Sequence, residues 1–180
     1  MLQATYPADL AARFPCDFQV VSSGQLAEVS DPTGSNVTVT LFLYRTTVSD
    51  VLRNRRTRMD GTPTDPVLAL DLHWLVSIWA ASPEAELTVF GWMQARLHRT
   101  AVLDSSLLSA DGGWGAGEIV QLVPQDLQSD ELLRIWESLE PSYRLSTCYV
   151  ARTVLIELDA ATPPRRILAR RIGMTDEEDE

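Results

Sequence analysis

Asp71 and His73 stand two residues apart in the stretch LALDLHWLVSIWA, residues 68 to 80. A carboxylate beside an imidazole is the raw material of acid–base chemistry, and with further ligands it is part of a metal site. A metal would need more donors than these, and the only other histidine is His98. Nucleophilic catalysis would need a third partner at a recognisable spacing, and none stands out. The alternative is a structural pair, hydrogen-bonded to backbone or to a neighbouring subunit. DGGWGAG, residues 111 to 117, has the glycine content of a phosphate loop but neither GK[ST] nor GxGxxG, so it reads as a surface loop. Trp114 in its middle is a candidate contact residue.

The element that carries Asp71 and His73 reads best as a long strand. At period two, Leu68, Leu70, Leu72, Trp74, Val76 and Ile78 form one unbroken apolar face. Ala69, Asp71, His73, Leu75, Ser77 and Trp79 form the other, and this mixed face is expected to be the less buried one. The two polar side chains are then roughly 7 Å apart along it. NVTVTLFLYR, residues 36 to 45, alternates in the same way and is a second strand. Pro83 opens a helix over 83 to 99, with Glu84 and Glu86 in its first turn and Leu87, Phe90, Met93 and Leu97 at helical spacing. EIVQLVP (118 to 124) and RLSTCYVARTVLIEL (144 to 158) are further strands. Between them DELLRIWESL is a helix, with Ser129 as its expected N-cap and Pro141 beyond its end. Residues 1 to 35 read as irregular apart from a short strand or turn of helix near FQVV at 18 to 21. The fold class is α+β: a mainly antiparallel sheet with two flanking helices.

Bulk properties narrow the partners. The 180 residues suit one domain with a sizeable core. A net charge of −10 argues against a general nucleic-acid or anionic-membrane binder. The longest apolar run is broken by Asp71, His73 and Ser77, so no transmembrane span is expected. The opening residues lack the pattern of a secretory signal, and Cys16 and Cys148 make neither a disulfide framework nor a zinc spacing. No cofactor or metal is expected, and assembly in the cytoplasm is. All fifteen basic residues are arginine, planar forks suited to pairing with carboxylates. Two groups of them are candidate contact residues: Arg53, Arg55, Arg56 and Arg58 in the polar stretch between the first two long strands, and Arg165, Arg166, Arg170 and Arg171 ahead of the acidic DEEDE.

Taken in order, VTVTLFLYRTTVSDVLRN, LALDLHWLVSIWA, FGWMQARLHRTAVLDSSLL, EIVQLVPQDLQSDELLRIWESL and PSYRLSTCYVARTVLIE resemble one family. It is the N-terminal domain of the tube-terminator, or cap, proteins of phage-tail-like contractile injection systems. The resemblance runs over residues 36 to 158, leaving 1 to 35 as a poorly matched extension and 159 to 180 as a charged tail. It implies a tail-terminator-like fold and a structural role with no catalysis. It also implies a hexameric ring that closes the inner tube, the sheath or both at the distal end of a particle that can be released from the cell. The implied partners are other copies of the chain, the tube protein and the sheath protein. The same resemblance makes Tyr44, Arg45, Asp71, His73, Trp136, Tyr143, Arg144 and Ser146 structural signature residues rather than an active site. Two other functions compete with a cap: a small hydrolase-type enzyme using Asp71 and His73, and a monomeric adaptor.

Overall fold

The computed structural model describes residues 1–49, 67–114, 117–139 and 141–157. The elements run α1 (Ala8–Arg13), β1 (Cys16–Val21), α2 (Ser23–Glu28), β2 (Val37–Val48), β3 (Val67–Ala80), α3 (Pro83–Arg99), β4 (Val102–Leu103), β5 (Val120–Gln125), α4 (Ser129–Glu137) and β6 (Ser146–Glu157). The six strands form one sheet in the order β1-β2-β3-β6-β5-β4. Only the β1–β2 pairing is parallel. The α+β class and its mainly antiparallel sheet are as the sequence implies, with the two short helices α1 and α2 added to the expected pair.

The long strands sit at the centre because their alternation gives each of them two faces to bury. On one face Val37, Val39, Val76, Ile78 and Tyr149 meet Ala85, Val89, Met93 and Leu97 of α3. On the other, Leu75, Trp79 and Cys148 meet Leu26 of α2 and Trp136 of α4. The sheet is thus the middle of three layers. α3 follows its start signals closely: Pro83 occupies the first turn, and the Ser82 hydroxyl accepts from the Ala85 N–H at 3.2 Å. Gln94 joins α3 to β6 by donating to Thr147 Oγ1 at 3.1 Å and accepting from the Tyr149 hydroxyl at 2.6 Å.

Four expectations are corrected. The first 35 residues are not irregular: Leu2 and Phe14 enter the core, and Tyr6 and Phe18 stack edge-on around Trp92 of α3. Their proline signals mark the borders of α1 and β1, not the lack of them. On β3 the mixed face is the more buried one: Ala69, His73, Leu75, Ser77 and Trp79 are all buried, while Leu68, Leu70, Leu72 and Trp74 are only half-buried. The reason is that α3 covers the end of the apolar face near Ile78 and leaves its far end open. Leu87 is 63% exposed, and Ala85 and Val89 hold the core positions of α3 instead. Ser129 is the first residue of α4 and not its cap, since Gln128 stands before it without a capping bond.

Met93 is fully buried beneath the sheet, so Met93→Ala should cost about 2–5 kcal/mol in urea unfolding. Leu87→Ala, on the exposed side of the same helix, should stay within about 0.5 kcal/mol of wild type. Equal effects would mean that α3 does not pack as described.

Candidate functional site

β2, β3, β6 and β5 bring the singled-out polar residues together in a seam on the α2–α4 side of the sheet. His73 on β3 uses both ring nitrogens within it: Nε2 lies 3.0 Å from Thr47 Oγ1 of β2, and Nδ1 lies 2.9 Å from Gln125 Oε1 of β5. The Tyr44 hydroxyl donates to the same Gln125 oxygen at 3.2 Å, and the Tyr44 and His73 rings meet edge-on with centroids 6.0 Å apart. An amide oxygen only accepts, so Nδ1 donates to Gln125, and Nε2 shares the second hydrogen bond with the Thr47 hydroxyl. Asp71 is not the partner of His73. Its Oδ2 lies 3.5 Å from Arg152 Nε of β6, while its buried Oδ1 has no hydrogen-bond partner. Register shifts flank the seam, between Leu43 and Arg45 on β2 and between Leu70 and Leu72 on β3. The first of them lets Tyr44 turn inward toward His73 while Arg45 stays exposed.

The other signature residues form a second group at the near end of the sheet. The Trp79 indole donates to Thr40 Oγ1 at 3.0 Å, and the Trp136 indole donates to Ser146 Oγ at 3.2 Å. The Ser146 and Ser77 hydroxyls hydrogen-bond at 3.0 Å. Arg144 lies over the Trp79 ring, 4.9 Å from its centroid, and pairs with Asp31 at 2.7 Å. Trp136 meets Trp79 and Tyr143 edge-on at 6.3 and 6.1 Å. These residues pack the sheet, α4 and the segment around Asp31 into one body.

The remaining candidates do not join either group. The Trp114 indole folds back over Gly112, where it fills the space a Cβ would need, and it is half-buried on its own loop. Arg53, Arg55, Arg56 and Arg58 lie outside the described residues, as do Arg165, Arg166, Arg170 and Arg171. Thr47, Gln125, Arg152, Ser77, Thr40 and Asp31 were missed from sequence. Their partners are 26 to 113 residues away in the chain, and no local pattern marks them.

Burial governs the titration of the groups around the sheet. It pushes the Tyr44 hydroxyl up to about 12, with the Cys148 thiol adding to the effect and Arg45 opposing it. It pushes Cys148 up to about 11, and Tyr6 and Cys16 each up to about 12. These are the properties of packed neutral groups, not of activated nucleophiles. Among the described residues no group of three or more His, Cys, Asp or Glu could hold a metal ion. No helix among them is long and apolar enough to cross a membrane.

Three layers on one mixed sheet, tied by these two groups, make up a fold that also occurs in solved terminator proteins. Over 99% of its length the chain superposes on the sheath/tube terminator of an extracellular contractile injection system, PVC, in its extended state. That match has a TM-score of 0.54 and 21% identity, and spans 63% of the longer chain. The tube-terminating cap of the anti-feeding prophage is 22% identical, with a TM-score of 0.49 over 76% of this chain and 50% of that one. No curated protein matches. The chain belongs to the Pvc16 N-terminal domain family, whose model matches residues 1–169. The first 35 residues therefore lie inside the family match, consistent with their place in the core.

Two measurements check the seam. His73→Ala and Tyr44→Phe should each destabilise by about 1–3 kcal/mol, and the double variant should be non-additive because both side chains share Gln125. Strict additivity would break the seam into independent contacts. The raised thiol and phenol values set an alkaline limit. Ionisation is harder in the fold than in the open chain, so the stability they contribute is complete below pH 9.0, the ordinary thiol value. It is lost as pH rises through about 11 to about 12. Thermal unfolding should therefore be level to pH 9 and fall above it, and Tyr44→Phe should blunt the fall above pH 10.0.

Proposed function

We propose that this chain serves as a structural cap, or tail terminator. Six copies close into a ring that ends the inner tube, the sheath or both in a contractile injection particle. The observation that carries this reading is the family match over residues 1–169, joined to a fold likeness that takes in 99% of the chain. Assembly then takes place before the particle leaves the cell, with tube and sheath proteins as partners.

The physical demands of capping suit the molecule. A terminator must offer one surface that copies a filament subunit and withhold the next, and contacts between unlike surfaces close on themselves when the rotation allows. A rigid three-layer body holds such surfaces at fixed angles. Its chemistry is internal: the imidazole of His73 is bonded on both sides by its own sheet, which is the reverse of a base poised for substrate. The arginines at 53, 55, 56 and 58, and those from 165 to 171, supply cations to meet acidic neighbours.

In cells making the particle, loss of this chain should give tubes of uneven length with open ends under the electron microscope. Replacing Arg53, Arg55, Arg56 and Arg58 with serine should produce the same defect in part, with the isolated protein still folded. His73→Ala at a temperature where the fold survives should leave capping intact. Uniform, closed particles in the absence of the chain would refute the cap, and a catalytic turnover abolished by His73→Ala would point to an enzyme.

A further inference from the structure

The sheet has two edges, and they are unlike. At one end β4 is two residues long. At the other, β1 presents six residues, Cys16–Val21, and among the described residues only one side of it is paired. The Val37 N–H donates to the Pro15 carbonyl at 2.8 Å, and Cys16 stands opposite Val37 in parallel register. In a parallel ladder alternate residues turn both backbone groups to the same neighbour. Asp17, Gln19 and Val21 therefore face β2, and the N–H and C=O groups of Cys16, Phe18 and Val20 point away from the sheet. Of the usual protections of an edge, no proline, lysine or bulge lies within Cys16–Val21, and Asp17 is its one charged residue. Val20 on this edge is 70% exposed, the most exposed large apolar side chain among the described residues.

A groove of about 580 Å3 runs beside the edge, lined by Gln19 and Val21 of β1, Gln25 and Glu28 of α2, Val29, and Thr38 of β2. Its charge has one sign. Glu28 lines it, Asp17 stands next to Gln19 on the same strand, and neither pairs with a cation among the described residues. An extended chain laid here would find three outward N–H and C=O pairs, an apolar spot at Val20 and the two carboxylates of Glu28 and Asp17, the latter also accepting from Gln19 Nε2 at 2.6 Å.

We propose that the open edge of β1 accepts an added strand from a second copy of this chain, supplied by residues 163–173, PPRRILARRIG. Charge selects that segment. It carries Arg165, Arg166, Arg170 and Arg171 and no acid, with Ile167, Leu168 and Ile172 to lie against Val20. The other arginine group, 53 to 58, is tethered in sequence at both ends, by β2 and by β3, whereas 163–173 follows the last strand, β6. Such head-to-tail exchange joins unlike surfaces, as a ring requires.

The test uses the full-length chain and a labelled peptide of residues 163–173. Val20→Pro removes an N–H that points away from β2, so the internal ladder survives while strand addition is blocked. Glu28→Arg reverses the groove charge on an exposed helix position. Each variant should weaken peptide binding by at least about tenfold without lowering the unfolding temperature, and should reduce self-association in sedimentation. A peptide of the same composition in scrambled order should bind more weakly than the native order. The proposal is overturned if the wild-type chain ignores the peptide, if Glu28→Arg binds as wild type does, or if the scrambled peptide binds equally well. It is also overturned if the wild-type chain stays monomeric at concentrations where the peptide binds. Solution binding reports on this edge alone and particle length reports on capping, so either can fail without the other.

Discussion

Trp79 cannot be buried between the sheet and its helices unless its indole N–H finds an acceptor. Thr40 on the adjacent strand supplies one 3.0 Å away, and both side chains are almost wholly shielded from water. An unmet donor at that depth would cost about 1–3 kcal/mol. The same constraint recurs along β3, because this strand is covered on both sides and still carries Ser77, His73 and Asp71. Ser77 is matched by Ser146, and His73 by Thr47 and Gln125. Each match comes from a neighbouring or next-neighbouring strand, so register is enforced by polar pairing as well as by apolar packing.

That constraint accounts for two of the polar residues of LALDLHWLVSIWA: His73 and Ser77 spend their hydrogen bonds within the sheet. A group held by two fixed partners from its own fold has nothing left to offer a substrate. Packed hydrogen-bonded pairs set distances between strands more sharply than apolar contacts do. Within this stretch the buried Oδ1 of Asp71 is left unmatched.

Much of this architecture was legible in the residues. The alternation of β2 and β3, and the Ser-Pro-Glu opening of α3, are local signals that tertiary packing had no reason to override. The bounds of α3 agree at both ends. Two things were not legible. Which face of β3 would be deeper depends on where α3 ends over the sheet, and strand periodicity carries no such information. The polar face looked exposed because its partners, Gln125 above all, lie far away in sequence. The N-terminal segment failed for a similar reason. Tyr6, Phe14 and Phe18 have no periodic pattern of their own, yet they complete the packing around Trp92. The cap resemblance was carried by spaced pieces from all the central strands, which is why it survived these errors.

The extra residue in β2 at Tyr44 has an effect on how the chain can evolve. Because side chains alternate sides, losing one residue there would send Thr47 to the wrong side and strip His73 of a partner, while restoring a regular strand. A length change at this point would therefore be harsher than most substitutions. Relatives of this chain should vary in residue type around Tyr44 far more readily than in residue number.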